Sequence, residues 1–250
     1  MWLFRRTRII IAVLIVVLIT SIALNVMLFS RAKQYYTDLN AVRLDPLGLS
    51  NYQSRTEPSV SFGQITVAFL GDSRAARWPT PTTADRFEFI NRGIDGQTSA
   101  QVLLRFDYHL TPVHPNIVVL QVGINDLKTI PLFPEQKTAI IANCKDNIKR
   151  MIDKSTALGA IVIVSTIFPV GNPPLERQPF WSADISVAIN EVNQYLRTLS
   201  GTTVIVLDAD PILMDGKLLR SQYAVDELHI NSEGYAALNS ELVRILDRFK

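Results

Sequence analysis

The chain carries one long run of residues without a charged side chain, from Ile9 to Phe29. At 1.5 Å of rise per residue, a helix over these positions spans about 31 Å, which matches a hydrocarbon core of about 30 Å. The run has no polar face, so a helix of a soluble fold would have no side to turn to solvent. The run therefore predicts one transmembrane helix near the amino terminus.

Two interpretations of this run differ in whether it is retained. A cleavable signal peptide has an apolar region of about 7–15 residues that ends in a small-x-small site. Here the run is longer and no clean site ends it, which favours an uncleaved signal anchor. Arg5, Arg6 and Arg8 precede the run, whereas Arg31 and Lys33 follow it. The positive-inside rule then favours a cytoplasmic amino terminus, with the remaining chain outside, in the periplasm if the source is bacterial.

The rest of the sequence divides by composition. We predict a cytoplasmic segment over 1–8, the anchor over 9–29, a stalk or linker over 30–63, and one domain over 64–250. Charged residues make up 19% of the chain and apolar residues 48%, which is typical of a globular protein. The net charge of +2 comes without a basic stripe, so we expect no nucleic-acid partner. The single cysteine, Cys144, lies in a helical pattern and is expected to be buried.

Short apolar runs alternate with amphipathic stretches over the predicted domain. Four of the five runs are nearly continuous in Val, Ile and Leu, as in parallel strands that are buried on both faces. The alternation predicts an α/β fold with a mostly parallel five-stranded sheet. The predicted strands are Ile65–Leu70, Phe87–Ile90, Ile117–Val122, Ile161–Ser165 and Val204–Leu207. The predicted helices are Ser99–His109, Glu135–Leu158, Ala183–Leu199 and Ser232–Phe249.

Polar residues follow four of these strands, and parallel strands bring their carboxyl ends to one edge of the sheet. Ser73 follows the first strand, Gly93 the second, and Asn125 the third, while Asp226 and His229 come after the fifth strand and a connector. A serine hydroxyl needs an adjacent base, and an imidazole oriented by a carboxylate suits that purpose. Amide donors stabilise the oxyanion that develops during acyl transfer. The edge therefore carries a nearly complete set for acyl transfer.

The four segments that hold these residues are VAFLGDS, NRGIDGQT, GIND and DELHIN. They resemble, in the same order, the four blocks of the SGNH, or GDSL, hydrolase superfamily, and the resemblance covers about residues 64–250. It implies a flavodoxin-like three-layer α/β/α sandwich and a reaction without a metal or an organic cofactor. No G-x-S-x-G elbow is present, which argues against the α/β-hydrolase fold.

The resemblance also implies residue roles. Ser73 would be the nucleophile, His229 the base, and Asp226 the carboxylate that orients it. The backbone N–H groups of Ser73 and Gly93 and the side-chain amide of Asn125 would form the oxyanion hole.

Several neighbours of these residues have open roles. Arg74 stands where the family often has an aliphatic residue; it either contacts a polar or anionic substrate group or points outward and pairs with an acid. Trp78, Phe180 and Trp181 fall in predicted loops near the site, where they either line an acyl or sugar pocket or anchor their loops.

The remaining polar residues and glycines near the site have structural interpretations. Asp72 and Asp126 are expected to brace their loops, and Gly96 to be a turn glycine. His109 and His114 are expected at the surface or in turns, and no metal-ligand spacing links the histidines.

The leading hypothesis is a membrane-anchored serine esterase that acts on a small-molecule, lipid or glycan ester. The same residues would serve an acyltransferase or deacetylase of cell-envelope polysaccharide, because the two reactions differ only in whether water or a sugar hydroxyl attacks the acyl-enzyme. A catalytically silent binding protein is a third hypothesis, and the complete set of five predicted site residues weighs against it.

Overall fold

A computed structural model of the chain describes residues 2–52, 63–82 and 86–249. The chain forms two compact units, Met1–Pro46 and Leu47–Lys250. Part of the predicted stalk, residues 53–62, lies outside the described residues.

The first unit is built on a single helix, α1 (Trp2–Leu44). Its most apolar stretch has a mean hydropathy of 3.0, and the helix is long and apolar enough to cross a membrane or to act as a signal anchor. The helix continues beyond Phe29, so the first part of the predicted stalk is helical.

At the start of the second unit, the Tyr52 hydroxyl donates a hydrogen bond of 2.6 Å to the Gly93 carbonyl. The compact unit therefore includes residues that precede position 64.

The second unit is organised around a five-stranded sheet in the order β2-β1-β3-β4-β5. Every neighbouring pair in it is parallel. This order is that of a flavodoxin-like sheet. β2 lies on one side of β1 and the later strands lie on the other side, so the order of the strands switches between β1 and β3. The strands are β1 (Ile65–Gly71), β2 (Phe87–Gly93), β3 (Ile117–Gln121), β4 (Ile161–Ser165) and β5 (Val204–Leu207). The predicted parallel sheet is confirmed.

Helices cover both faces of this sheet. Val118 and Leu120 of β3 pack in one apolar cluster with α3, α4, α6 and α7, whereas Ile117 and Val119 pack in a second cluster with α8 and α9. Successive side chains of a strand point to opposite faces, so a strand buried on both sides needs a continuous apolar run. The helices of this unit are α2 (Ser73–Ala76), α3 (Ser99–Leu104), α4 (Phe106–His109), α5 (Ile124–Leu127), α6 (Lys137–Ala157), α7 (Asp184–Arg197), α8 (Asp210–Leu213) and α9 (Ser232–Leu246), and a short antiparallel hairpin, β6 (Met214–Asp215) and β7 (Leu218–Leu219), follows α8.

The predicted helix over Ser99–His109 is two helices that meet at Arg105. The Arg105 guanidinium is buried, donates to the carbonyl of Gly71 at 2.9 Å, and lies 3.2 Å from His109 Nδ1. His109 is itself fully buried, so its expected place at the surface or in a turn is wrong. His114 is exposed in a left-handed turn, as expected. Cys144 is buried in the first cluster, which confirms its prediction.

Candidate active site

Three side chains form a continuous hydrogen-bonded line at the carboxyl edge of the sheet. Ser73 is the first residue of α2, directly after β1, and its Oγ lies 3.0 Å from Nε2 of His229. The other ring nitrogen, Nδ1, lies 2.8 Å from Oδ2 of Asp226. The structure therefore brings together the hydroxyl, imidazole and carboxylate that the sequence places about 150 residues apart.

A tight turn between β1 and α2 presents Ser73. Gly71 has φ +155°, and a Cβ atom there would lie 1.7 Å from the carbonyl oxygen of Gln121 on β3. Asp72 then adopts an extended conformation and caps α2, because its Oδ1 accepts a hydrogen bond of 2.9 Å from the backbone N–H of Arg74. This hydrogen bond agrees with the bracing role expected for Asp72.

Asp72 is completely buried, and its other carboxyl oxygen has no hydrogen-bond partner within the described ranges. Burial raises its pKa to about 6, an effect that the nearby charge of Arg74 partly offsets.

Asp226 organises the loop that carries His229. Its Oδ1 accepts hydrogen bonds of 2.7 Å from the backbone N–H groups of both Leu228 and His229. Burial alone would raise the pKa of Asp226, but the hydrogen bonds from the imidazole and the two N–H groups outweigh it and hold the pKa below its usual value. A carboxylate accepts only, so Nδ1 carries the proton and the lone pair of Nε2 faces the Ser73 hydroxyl.

A cavity of about 120 Å³ opens beside this line of side chains. Its walls include Ser73, Gly96, Asn125 and His229, together with charged side chains at Arg77 and Lys128. The wall thus combines the hydroxyl and imidazole with amide groups that can donate to a developing oxyanion.

Gly93 has a packing role, which corrects the prediction that its N–H belongs to the oxyanion hole. That N–H donates to the side-chain oxygen of Asn91 at 2.8 Å. A Cβ atom at position 93 would lie 2.2 Å from the backbone nitrogen of Ala76, so glycine is needed for the end of β2 to pack against α2. The cavity is lined instead by Gly96, which has φ +76°. Among the described residues no acceptor contacts the Gly96 N–H.

Asn125 lies on α5 with its side chain almost fully buried in the cavity wall. Its Nδ2 donates to the backbone carbonyl of Gln97 at 2.9 Å, and a carboxamide nitrogen carries a second hydrogen for a ligand. The next residue, Asp126, accepts from the N–H of Ser99 at 2.8 Å and from its hydroxyl at 2.6 Å. Asp126 therefore braces α5 against the start of α3, as expected, and burial raises its pKa.

Arg74 is fully buried, which corrects the interpretation that its side chain points outward and pairs with an acid. Its Nε donates to the carbonyl of Leu228 and its Nη1 to the carbonyl of Phe168, each at 2.9 Å. Burial lowers the pKa of Arg74 to about 10, so the guanidinium remains charged at neutral pH. It therefore does not point outward to an acid. Arg74 also lines the cavity, and its Nη2 has no hydrogen-bond partner among the described residues, so contact with a polar or anionic substrate group stays a prediction. It ties α2 to the residue that precedes His229.

The sequence did contain a signal for this arrangement. The family often has an aliphatic residue after the serine, and such a position is expected to be buried. An arginine placed there must satisfy its donors inside the protein, and backbone carbonyls of adjacent loops are the acceptors within reach.

The aromatic residues expected near the site lie elsewhere. Trp78 is 2% exposed and packs against Phe69, Phe168 and Tyr235 in the cluster beneath α9, which corrects the prediction of a role in the substrate pocket. Its Nε1 donates to the side-chain oxygen of Asn239 at 2.8 Å. Trp181 packs against the other cluster and is not among the residues that line the cavity, while Phe180 is exposed. An aromatic residue in a loop fits either role by type, and only its packing decides.

Comparison with known proteins agrees with the fold and the motifs. The model of the GDSL-like lipase/acylhydrolase family matches residues 59–237. A solved structure from Streptococcus pneumonia has a TM-score of 0.69 at 22% identity, covering 87% of this chain and 99% of that chain. A GDSL-like lipase from Bacteroides thetaiotaomicron VPI-5482 has a TM-score of 0.62 at 20% identity, covering 82% and 99%.

The acetyl xylan esterase AlAXEase has a TM-score of 0.55 at 18% identity, covering 73% of this chain and 100% of that chain. At these identities the solved structures establish the fold only. No curated protein sequence matches the chain significantly.

Proposed function

Because the chain belongs to the GDSL-like lipase/acylhydrolase family, we propose that it is a serine esterase that forms an acyl-enzyme on Ser73. One observation carries the proposal. Ser73 Oγ lies 3.0 Å from His229 Nε2, and His229 Nδ1 lies 2.8 Å from a carboxylate of lowered pKa, beside a cavity. Hydrogen-bonded nucleophile, base and orienting group are the arrangement that activates a serine.

In the first half of the reaction, Ser73 Oγ attacks the ester carbonyl carbon while its proton passes to His229 Nε2. The oxyanion is stabilised by the N–H groups of Ser73 and Gly96 and by the Asn125 amide. Each such donor contributes roughly 10²–10³-fold in rate. The imidazolium, stabilised by Asp226, then gives its proton to the departing alcohol as the C–O bond breaks.

In the second half, water occupies the place of the alcohol. His229 Nε2 takes a proton from the water as the water oxygen attacks the acyl carbon. The bond to Ser73 Oγ breaks, the serine regains a proton from the imidazolium, and the acid leaves. If a sugar hydroxyl replaced water at this step, the same residues would transfer the acyl group.

The wall of the cavity favours a short acyl group. The cavity of about 120 Å³ lies beside Ser73 and His229, and its wall carries charged side chains at Arg77, Asp95 and Lys128. A long alkyl chain would desolvate these charges, so an acetyl ester of a small molecule, a lipid or a glycan suits the wall better than a long-chain ester.

We also propose a membrane topology for the enzyme, based on α1. Residues 9–29 would remain in the membrane as a signal anchor, residues 1–8 in the cytoplasm, and the esterase domain outside. Alkaline carbonate extraction and protease protection of intact and opened cells test this topology. Release of the domain by carbonate, or its protection in spheroplasts, would contradict it.

The test of the esterase uses the full chain in detergent micelles. We expect turnover of p-nitrophenyl acetate, a lower kcat/KM for the octanoate, and loss of turnover in Ser73→Ala and His229→Ala. The matched control is Ser240→Ala, which removes an exposed hydroxyl on α9. Full activity of Ser73→Ala would refute the proposal. A single burst of p-nitrophenol without further turnover would favour the transferase.

A further inference from the structure

Lys128 is a charged residue of the cavity wall that the esterase mechanism does not use. It follows the last residue of α5, three positions after Asn125, and residues at this spacing share one face of a helix. Lys128 is half-buried and lines the same cavity as Ser73 and His229. Lys128 and Asn125 therefore lie on the same face of α5, the face that lines the cavity.

Three other cations lie in or near the cavity wall, and each has partners within the protein. Arg74 lines the cavity but gives its Nε and Nη1 to backbone carbonyls. Arg77 forms an ion pair of 2.7 Å with Asp95 at the rim. Arg177 forms one of 2.6 Å with the buried carboxylate of Glu227.

Lys128 differs from these residues. In the part of the chain that the structure describes, it forms no ion pair. The acids whose fields reach it are Asp72, which is buried and caps α2, and Glu227, which pairs with Arg177. Burial lowers the pKa of Lys128, and the positive charge of Arg177 lowers it further. The charge of Lys128 is therefore less well stabilised, by water or by nearby acids, than the charge of an ordinary surface lysine.

We propose that Lys128 forms an anion subsite and that the natural substrate is an ester that carries a carboxylate or phosphate close to the scissile bond. This inference rests on the proposed esterase function and narrows its substrate class. A partly desolvated cation attracts an anion more strongly than an exposed one does, because the local dielectric is lower. Lysine holds its charge on a flexible stem, so it recognises an anion as a point charge and does not demand one geometry.

The test compares anionic esters with neutral esters of the same shape on the full chain in detergent. On the alcohol side, 4-acetoxybenzoate and 4-acetoxyphenyl phosphate are compared with 4-acetoxybenzamide. On the acyl side, mono-4-nitrophenyl fumarate, whose trans double bond prevents self-cleavage by the carboxylate, is compared with its neutral amide. The readout is the ratio of kcat/KM for the anionic ester to that for the neutral ester. Intrinsic differences between esters cancel when this ratio is compared across variants.

We expect at least one anionic ester to lose about 10-fold in this ratio in Lys128→Met, equivalent to about 1.4 kcal/mol, and more in Lys128→Glu. Both variants should still hydrolyse the neutral esters, which shows that they are folded. The control is Lys149→Met, since Lys149 pairs with Asp153 on the exposed side of α6. The anionic ester whose ratio falls shows whether the subsite binds a carboxylate or a phosphate group.

Ratios that change less than twofold for every anionic ester in Lys128→Met, while the neutral esters are still hydrolysed, would overturn the subsite and leave the esterase standing. No hydrolysis of any ester by the intact chain would overturn both.

Discussion

The nucleophile turn, Gly71–Ala76, and the base loop, Asp226–His229, meet at one hydrogen bond but are held in different ways. The turn is buried: Asp72 and Arg74 are 0% exposed and Ser73 6%. It is fixed by close backbone contacts, at Gly71 against β3 and at Ala76 against the end of β2. The base loop has its Asp226 side chain 42% exposed and is shaped by hydrogen bonds to one carboxylate and from one guanidinium.

The two aspartates show what this difference does to charge. Asp72 and Asp226 both lie within a few residues of the proposed chemistry, yet their pKa values move in opposite directions. Asp72 is buried with one oxygen unpartnered among the described residues, so burial wins and its pKa rises to about 6. At Asp226 the hydrogen bonds outweigh burial, and its pKa falls. Solvation and hydrogen bonding, and not proximity to the nucleophile, decide the direction in which the pKa of each carboxyl group moves.

The comparison implies that the base loop fails when a polar contact is lost. We expect Asp226→Asn to reduce kcat/KM for p-nitrophenyl acetate by roughly 10³–10⁴-fold, because an amide can face Nδ1 with a donor and favour the unproductive tautomer. The stability of the fold should change little. The matched control is Glu227→Gln, the neighbouring acid that pairs with Arg177 and not with the imidazole. A loss below 10-fold in Asp226→Asn would show that the loop does not depend on this carboxylate.

The nucleophile turn should instead fail sterically. We expect Gly93→Ala to destabilise the protein by about 2–4 kcal/mol, because the new methyl group would meet the backbone of Ala76 and neither strand nor helix can move freely. Thermal unfolding in detergent measures this as a lower Tm. The control is Gly201→Ala, where a Cβ atom meets nothing within 4 Å. Equal Tm values for the two variants would contradict the packing role of Gly93.

Arg74 connects the two regions and serves as a positioning residue. We expect Arg74→Met to lower kcat for p-nitrophenyl acetate by about 10-fold with little change in KM, since it removes the hydrogen bond to the base loop at Leu228 and a second one to the carbonyl of Phe168. A partial rescue of kcat in Arg74→Lys would separate positioning from simple packing. Arg244→Met, on the exposed side of α9, is the control. A rise in KM with unchanged kcat would assign Arg74 to substrate binding instead.

The smallest expected effect concerns the charge of Asp72. The folded state holds this proton to about pH 6 and the unfolded state only to about pH 4, so the unfolding free energy falls as pH rises through this window. Asp72→Asn keeps an oxygen to cap α2 and removes the buried charge.

We expect Asp72→Asn to gain about 1–2 kcal/mol at pH 8, about 3–6 °C in Tm, and almost nothing at pH 4. Asp215→Asn, at the exposed end of β6, should show no such difference. A destabilised Asp72→Asn at pH 8 would mean that the ionised carboxylate makes a favourable interaction.

The sequence was sufficient for the sheet because buried parallel strands need continuous apolar runs. Ile161–Ser165 and Val204–Leu207 form strands with the predicted bounds. The serine, histidine and aspartate could also be predicted, because their motifs follow strands that end at one edge. The predicted helix is divided at Arg105, whose backbone leaves the helical conformation. The buried guanidinium of Arg105 reaches the Gly71 carbonyl on β1, a contact that local periodicity does not encode.

The roles of the two glycines could not be assigned from sequence. Gly93 and Gly96 lie in one segment, and either suits a turn. Gly93 packs against the backbone of Ala76 on α2, and Gly96 lines the cavity. Ala76 belongs to a different segment of the sequence, so the motif alone does not show which glycine it contacts. Trp78 was misplaced, and Arg74 was left with two alternatives, for a similar reason. Side-chain direction at a strand–helix turn is set by the loops and the helix that pack there.

The central claim is that Ser73 is activated by His229, and covalent labelling tests it most directly. The full chain in detergent is treated with a fluorophosphonate, and the modified peptide is identified by mass spectrometry. We expect one label, on Ser73, with no labelling of Ser73→Ala and labelling of His229→Ala slowed by at least about 10²-fold. Unmodified Ser73 in the folded protein, or equally rapid labelling of His229→Ala, would contradict the account.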